Sequence, residues 1–213
     1  MLDVLERYWG YTALRPLQQE AIDAVMAGRD SVVVLPTGGG KSLCFQLPAL
    51  LKPGVAVVVS PLISLMKDQV DTLVGSGVAA ACYNSAMSED ARAEVRAGLR
   101  EHRYRLLYVS PERLAGLGGD RFVQMLREAQ VSFIAVDEAH CISQWGHDFR
   151  PEYRQLGRLR QLLPGVSVHA FTATATARVR QDILSQLSLV DPAEFVGSRS
   201  EEHTSELQSH SFI

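Results

Sequence analysis

Short runs of apolar, often β-branched residues alternate along this chain with segments of helical periodicity. The runs are continuously apolar instead of alternating with polar residues, which is typical of parallel strands covered on both faces. We predict strands at Ser31–Leu35, Val55–Ser60, Ala79–Tyr83, Arg105–Val109, Ser132–Val136 and Val166–Thr172. Helical patterns occur at Ser42–Leu51, Leu62–Ser76, Ser88–Glu101, Asp120–Ala129, Pro151–Leu163 and Thr176–Leu187. Repeated strand-then-helix units predict an α/β domain, a three-layer fold with a mainly parallel central sheet.

The composition excludes several broad classes of protein. No apolar run approaches the roughly 18 residues of a membrane span, so we expect no membrane partner and a cytoplasmic location. A net charge of −3 is unlike that of a protein that coats nucleic acid with a broadly basic surface. The cysteines Cys44, Cys82 and Cys141 form no C-x-x-C pair, so we expect no zinc site and no disulfide framework.

A glycine-rich turn follows the first predicted strand and reads Thr37-Gly38-Gly39-Gly40-Lys41-Ser42. The G-x-x-x-x-G-K-[ST] template fails at its first position, where Leu35 stands. The glycines still allow backbone N–H groups to point at phosphate oxygens, and the next helix adds the positive end of its dipole. Lys41 can reach the β- and γ-phosphates, and the Ser42 hydroxyl can ligate Mg²⁺. The alternative is a turn that only starts a helix, but the order of strand, glycines, Lys-Ser and helix favours an ATP–Mg²⁺ site.

Two acidic residues, Asp137 and Glu138, directly follow the apolar run Phe133–Val136. Ligands of parallel sheets bind at the carboxyl ends of the strands. Asp137 would hold Mg²⁺, directly or through water, and Glu138 would orient and deprotonate an attacking water. A solvated acidic loop is the alternative, and His140 alone indicates little. Together with the phosphate loop, the acidic pair predicts a site that hydrolyses ATP.

Longer strings carry a specific resemblance. The combination of TGGGKS at 37–42 and DEAH at 137–140 resembles superfamily-two helicases. SPLISLMKDQV at 60–70 and DEAHCISQWGHDFRPEY at 137–153 resemble the first RecA-like motor domain of RecQ-type DNA helicases, and the resemblance runs from about Val4 to Ser198. It implies a P-loop NTPase of RecA-like fold and ATP-dependent 3′-to-5′ DNA helicase activity. It also implies the catalytic residues Lys41, Asp137, Glu138 and His140.

The same resemblance assigns adenine recognition to Arg15 and Gln18. An amide offers one donor and one acceptor, which suits the edge of adenine. The alignment favours Gln18 over Gln19. Without the resemblance, Gln18 would be interpreted as a surface residue of a helix.

Further segments resemble parts of the family that contact DNA or couple DNA binding to hydrolysis. Serine, lysine and arginine side chains can bind phosphates without reading sequence, and exposed aromatic faces can stack on unpaired bases. The residues concerned are Ser60, Lys67, Arg113, Gln144, Trp145, His147, Phe149, Arg150, Thr172 and Thr174. Each has a plainer alternative: loop or helix-cap chemistry for Ser60, Lys67 and Arg113, core packing for Trp145 and Phe149, and helix capping for the two threonines.

The last residues depart from the pattern. Arg199–His210 matches the in-frame translation of a widely used sequencing-adapter oligonucleotide, although a frayed polar terminus is the plainer interpretation. We therefore expect residues 1–198 to form the helicase ATP-binding domain and residues 199–213 to be a non-native tail. We also expect the second RecA-like domain, which the resemblance supplies in cis, to be missing.

Three functions stay open at this point. The first is a truncated helicase motor that binds ATP–Mg²⁺ and single-stranded or junction DNA without full unwinding. The second is a nucleotide-dependent DNA-binding module without turnover of its own. The third is another P-loop enzyme, such as an RNA-directed helicase or a small-molecule kinase, which the string SQWGHDFR and the departure at Leu35 disfavour.

Overall fold

The computed structural model describes residues 1–115 and 119–197, and the predicted tail therefore lies outside the described residues. Within this part of the chain the strands pair in one sheet, in parallel throughout, with the order β3-β4-β2-β5-β6-β1-β7. The strands are β1 (Ser31–Val34), β2 (Val55–Val59), β3 (Ala80–Tyr83), β4 (Leu106–Val109), β5 (Val131–Val136), β6 (Val168–Thr172) and β7 (Ala193–Val196). The predicted parallel α/β fold is confirmed.

The strand β7 is the one strand of the described chain without a sequence prediction. It pairs only with β1 and lies at the edge of the sheet. Its residues are alternately half-buried and exposed, so it lacks the continuous apolar run that marks the other strands.

Helices cover both faces of the sheet. They are α1 (Leu2–Trp9), α2 (Gln18–Ala27), α3 (Leu43–Leu51), α4 (Ile63–Gly75), α5 (Glu89–Arg100), α6 (Pro111–Ala115), α7 (Gly119–Glu128), α8 (Pro151–Arg154), α9 (Leu159–Leu162) and α10 (Ala177–Gln186). The side chains of Ser88 and Thr176 accept hydrogen bonds from Ala91 N (3.2 Å) and Val179 N (3.3 Å), and so cap α5 and α10. No helix in the described ranges is long and apolar enough to cross a bilayer.

One predicted helix, Pro151–Leu163, is wrong as a continuous element. The segment forms α8, a 3₁₀ turn at Gln155–Arg158 and then α9. Gly157 lies against the backbone carbonyl of Gln186 at the end of α10, where a Cβ atom would clash. This close approach to α10 coincides with the tighter turn, and periodicity alone does not reveal it.

Alternate residues of strands β1 to β6 enter two separate cores. Val57 and Val59 of β2 pack with α5, α7 and α10 on one face, whereas Ala56 and Val58 pack with α1 to α4 on the other. Both faces are therefore covered, which explains why the strands are continuously apolar. The polar residues that follow the strands come together at the carboxyl edge of the sheet, where the candidate site lies.

Candidate functional site

The phosphate loop joins β1 to α3 and contains two glycines in left-handed conformations, Gly38 (φ +86°) and Gly40 (φ +75°). The loop closes tightly, because Leu43 N donates to the Gly40 carbonyl (3.1 Å) and Cys44 N donates to the Lys41 carbonyl (3.0 Å). Among the described residues, the N–H groups of Gly40, Lys41 and Ser42 find no protein acceptor. Successive unpaired N–H groups at the start of a helix form an anion-binding concavity.

Arg15 and Gln18 hold this loop from outside. Arg15 Nη1 donates to the Gly38 carbonyl (2.6 Å), and Gln18 Nε2 lies 3.3 Å from the carbonyls of both Gly39 and Gly40. Gln18 Oε1 accepts from Arg15 N (2.7 Å), and the Gln18 side chain is buried. The alternative of a surface helix residue is therefore wrong. Both ends of the amide are engaged within the protein, so adenine recognition by Gln18 stays a prediction.

Asp137 lies at the end of β5 and is buried, with 4% of its surface exposed. Its Oδ1 accepts from Glu138 N (3.0 Å), and its backbone is fixed by Val59 and by the Tyr153 hydroxyl, which donates to the Asp137 carbonyl (2.9 Å). Burial, and secondarily Glu138, raise the pKa of Asp137 to about 6, while Lys41 acts in the opposite direction. A bound cation would restore the charged form of this carboxylate.

Glu138 and His140 follow this strand, and their side chains lie close together. Glu138 adopts φ +47°, a left-handed conformation that is uncommon outside glycine and is often found at functional sites. Its Oε2 lies 3.3 Å from His140 Nδ1, which also lies 2.8 Å from Thr172 Oγ1 at the end of β6. The Thr172 hydroxyl in turn donates to the Thr174 carbonyl (3.2 Å). Burial lowers the pKa of His140, so the ring is neutral at physiological pH.

The loop from Ser143 to Arg150 follows directly and packs against α10. Trp145 is 58% exposed, and the Arg178 guanidinium lies 3.3 Å from the centroid of its ring. Ser143 Oγ donates to Asp182 Oδ2 (2.6 Å) and accepts from Trp145 N (3.1 Å). Core packing is therefore excluded for Trp145. Arg178 and Asp182 were not predicted from the sequence. Their i, i+4 spacing indicates that they share one face of a helix, but it does not indicate which loop packs on that face.

The rest of the loop connects the acidic site to the segment after β2. The ring of His147 stacks on His140 with centroids 4.2 Å apart. Arg150 Nη1 donates to the Pro61 carbonyl (3.2 Å), and Phe149 is half-buried beneath the Arg154 guanidinium. Gln144 is exposed at the surface of the loop.

Two residues predicted to contact DNA, Ser60 and Arg113, follow β2 and β4 at the same edge. Ser60 Oγ and Arg113 Nε are buried without a protein partner in the described chain, as is the neighbouring Ser110 Oγ. Arg113 also lies over the Tyr83 ring, 5.1 Å from its centroid. Lys67 is separate from them on the exposed face of α4, where it pairs with Asp71 (2.7 Å).

A parallel sheet with a phosphate loop after β1 and an acidic pair after β5 defines a P-loop nucleotide-binding domain of RecA-like type. The chain belongs to the DEAD/DEAH box helicase family, whose sequence model matches residues 15–183.

Sequence relatives show which helicases of this family the chain resembles. The chain is 49% identical over 197 residues to the ATP-dependent DNA helicase RecQ of Pasteurella multocida, an alignment that covers 92% of this chain and 31% of that protein. It is 48% identical over 188 residues to RecQ of Bacillus subtilis, covering 87% of this chain and 31% of the relative. The resemblance to RecQ helicases is confirmed. The chain spans about a third of the length of these relatives.

Solved structures agree on the fold. The DUF1998 helicase MrfA bound to DNA superposes with a TM-score of 0.74 at 20% identity, over 92% of this chain and 29% of that one. At this level of identity the likeness concerns the RecA-like fold alone.

Proposed function

We propose that this chain is the ATP-binding motor domain of a RecQ-type 3′-to-5′ DNA helicase, which binds ATP–Mg²⁺ and single-stranded or junction DNA. One observation carries the proposal. The phosphate loop and Asp137 lie at one edge of the sheet, and His140 links that edge to the loop that exposes Trp145. A nucleotide site and a base-stacking surface are thus connected by direct contacts.

The residues at the nucleotide site fit Mg²⁺. Its preferred ligands are oxygens, and Ser42 and Asp137 offer a hydroxyl and a carboxylate beside Lys41. When bound with ATP, Mg²⁺ would neutralise charge that develops on the phosphates. Thr37 and the glycines Gly38, Gly39 and Gly40 would enclose the phosphates, and Lys41 would contact the β- and γ-oxygens.

Glu138 is the proposed base for the attacking water. Its left-handed backbone turns the side chain toward His140, whose ring also contacts the Thr172 hydroxyl. His140 would position Glu138 and report the state of this site to the end of β6. In this proposal Arg15 and Gln18 read adenine after exchanging their contacts with the loop carbonyls for contacts with the base.

The DNA surface is proposed to run from Ser60, Lys67 and Arg113 to the loop that contains Trp145. Ser60 Oγ and Arg113 Nε are buried donors without protein acceptors in the described chain, so contact with phosphate oxygens would require these side chains to turn outward. Trp145 offers an exposed ring for base stacking. Gln144, His147, Phe149 and Arg150 would transmit DNA contact to His140, and Thr172 and Thr174 would couple hydrolysis to domain movement.

Unwinding is proposed to need a second RecA-like domain in cis. Such a domain would close over ATP and donate an arginine finger, a contribution of roughly 10³–10⁵ in rate in related enzymes. We therefore propose that residues 1–198 act as one half of a motor and that residues 199–213 do not contribute.

ATP turnover with and without single-stranded DNA tests the proposal. We expect slow turnover that single-stranded DNA stimulates and Lys41→Ala abolishes, together with no strand displacement by this chain. The alternative, a nucleotide-dependent DNA-binding module, would instead show nucleotide-sensitive DNA binding with no turnover above that of Lys41→Ala. Robust ATP-dependent unwinding by the 213-residue chain would contradict the requirement for a second domain.

A further inference from the structure

We propose that His140, Cys141 and Asp148 form a site for a thiophilic divalent cation, Zn²⁺, at the junction between the acidic segment and the loop that follows it. Each residue offers one ligand atom, and these atoms lie within 4.8 Å of one another. Cys141 Sγ lies 3.8 Å from His140 Nε2 and donates to Asp148 Oδ2 at 3.8 Å. Nitrogen, sulfur and oxygen ligands are the set that Zn²⁺ accepts.

The separations are close to those of a tetrahedral zinc site. Typical Zn–S and Zn–N bond lengths place two ligands of a tetrahedron about 3.5 Å apart. The separations at Cys141 exceed this value only slightly, and the side chain of Asp148 is 47% exposed and can rotate inward. Three protein ligands would leave the fourth position to water, as in open zinc sites.

The orientation of the His140 ring also suits a metal. Zinc-binding histidines commonly donate their second ring N–H to a neighbouring oxygen, which fixes the tautomer. His140 Nδ1 lies 2.8 Å from Thr172 Oγ1 and 3.3 Å from the Glu138 carboxylate, and a carboxylate can only accept. This environment favours a proton on Nδ1 and leaves a lone pair on Nε2, which lies 3.8 Å from Cys141 Sγ.

Arg150 would compete with a cation for Asp148, but it contacts only one of the two carboxylate oxygens. Arg150 Nε and Nη2 both donate to Asp148 Oδ2, at 3.2 and 3.1 Å, and Cys141 Sγ donates to the same oxygen. Oδ1 takes part in none of these contacts, and rotation of the partly exposed Asp148 side chain would bring it to a cation. The spacing of one cysteine, its preceding histidine and a distant aspartate contains no C-x-x-C signal. The expectation that the chain holds no zinc rested on that missing signal, and the present proposal departs from it.

The cluster differs in chemistry from the proposed magnesium site. Mg²⁺ prefers oxygen ligands and would bind at Ser42 and Asp137, whereas a thiolate selects softer ions. A Zn²⁺ ion here would tie the loop, through Asp148, to the histidine that contacts Glu138 and Thr172. If the proposed function holds, this ion would restrain the link between DNA contact and ATP turnover; binding of the ion itself does not depend on that function.

Titration of the whole chain with Co²⁺, a spectroscopic substitute for Zn²⁺, tests the site without requiring ATP turnover. We expect a thiolate-to-cobalt charge-transfer band that Zn²⁺ abolishes by displacement. Cys141→Ser should remove the band, and Asp148→Asn should weaken Co²⁺ affinity at least about tenfold while the band persists at saturation. Because Asp148 is partly exposed, this second variant keeps the test valid if Cys141→Ser fails to fold.

Cys82→Ser is the matched control, since it removes another thiol far from the cluster and should leave the band and the affinity unchanged. Absence of a thiolate band in the unaltered chain would overturn the proposal. Retention of full Co²⁺ affinity by Asp148→Asn, or loss of the band in Cys82→Ser, would overturn it as well.

Discussion

Gly40 occupies the most constrained position of the phosphate loop. Its φ of +75° is unfavourable for residues with a Cβ atom, and a Cβ here would collide with Gln18 Nε2. Gln18 could yield only by giving up its contacts with the Gly39 and Gly40 carbonyls. The position therefore combines a backbone requirement with a packing requirement.

We predict that Gly40→Ala reduces nucleotide affinity and lowers the unfolding free energy by more than Gly77→Ala does. Gly77 has a similar φ of +85° with no atom near its hypothetical Cβ, so Gly77→Ala measures the backbone cost alone, about 1–2 kcal/mol. Urea unfolding and titration with a fluorescent ATP analogue would measure both effects. Equal losses of stability, with unchanged nucleotide affinity in Gly40→Ala, would show that the contact with Gln18 is unimportant.

His169 is a buried residue of β6 with a structural role. Its ring nitrogens contact Ser31 Oγ and Ser167 Oγ, both at 2.9 Å, and burial lowers its pKa to about 3. The unfolded chain binds a proton near pH 6.5, so it takes up more protons than the folded chain between about pH 3 and pH 6.5. The stabilisation is thus complete above about pH 6.5 and is lost as the pH falls toward 3.

We predict that acidification below about pH 6.5 destabilises the chain by up to roughly 1.4 kcal/mol per pH unit through His169 alone. His169→Gln, which does not titrate, should remove this part of the pH dependence even if it is less stable at neutral pH. Urea unfolding at a series of pH values measures the difference between the two slopes. Identical slopes would contradict the prediction, because they would mean that His169 contributes nothing to the pH dependence of the unfolding free energy.

At the scale of elements, α10 determines where the loop carrying Trp145 lies. Arg178 covers one face of the Trp145 ring, and Asp182 accepts from Ser143. A base that stacks on the covered face must displace the guanidinium. An exposed cation–π contact is worth about 0.5–1 kcal/mol.

We predict that Arg178→Ala strengthens single-stranded DNA binding about two- to fivefold, the affinity equivalent of that contact. Arg180→Ala is the control. It removes the same charge from α10, but Arg180 pairs with Glu194 and not with Trp145. Fluorescence anisotropy of labelled DNA measures both affinities. Weaker binding by Arg178→Ala alone would instead make Arg178 a phosphate contact.

The elements of the fold differ in how far their own sequences predict them. Strands β1 to β6 carry continuous apolar runs, and the predicted helical patterns begin at Ser88 and Thr176, which cap α5 and α10; these signals are local. Strand β7 and the break at Gly157 depend on partners distant in sequence, and neither has a local signal. In the site, the phosphate loop and Asp137 follow strand ends and were predictable, whereas the contacts of Gln18 and Arg178 arise only from tertiary packing.

At the scale of the whole molecule, the described chain is one RecA-like domain whose polar edge carries both proposed ligands. Two separate cores hold the sheet between its helices, and most of the polar side chains of the candidate site follow the strands at one edge. The chain covers 31% of the RecQ relatives, so the proposed motor cycle would need further domains. The proposed nucleotide site, in contrast, is assembled from residues of this domain.

Equilibrium titration with a fluorescent ATP analogue, in the presence and absence of Mg²⁺, tests the central claim most directly. We predict Mg²⁺-dependent binding that Lys41→Ala weakens at least about tenfold, the loss of roughly 1.4 kcal/mol expected for a charged phosphate contact. Lys52→Ala removes the same charge at the opposite edge of the sheet, where Lys52 Nζ donates to the Met26 carbonyl (3.1 Å), and it should bind like the unaltered chain. Equal affinity of Lys41→Ala and the unaltered chain would contradict the assignment of residues 37–42 as the phosphate site.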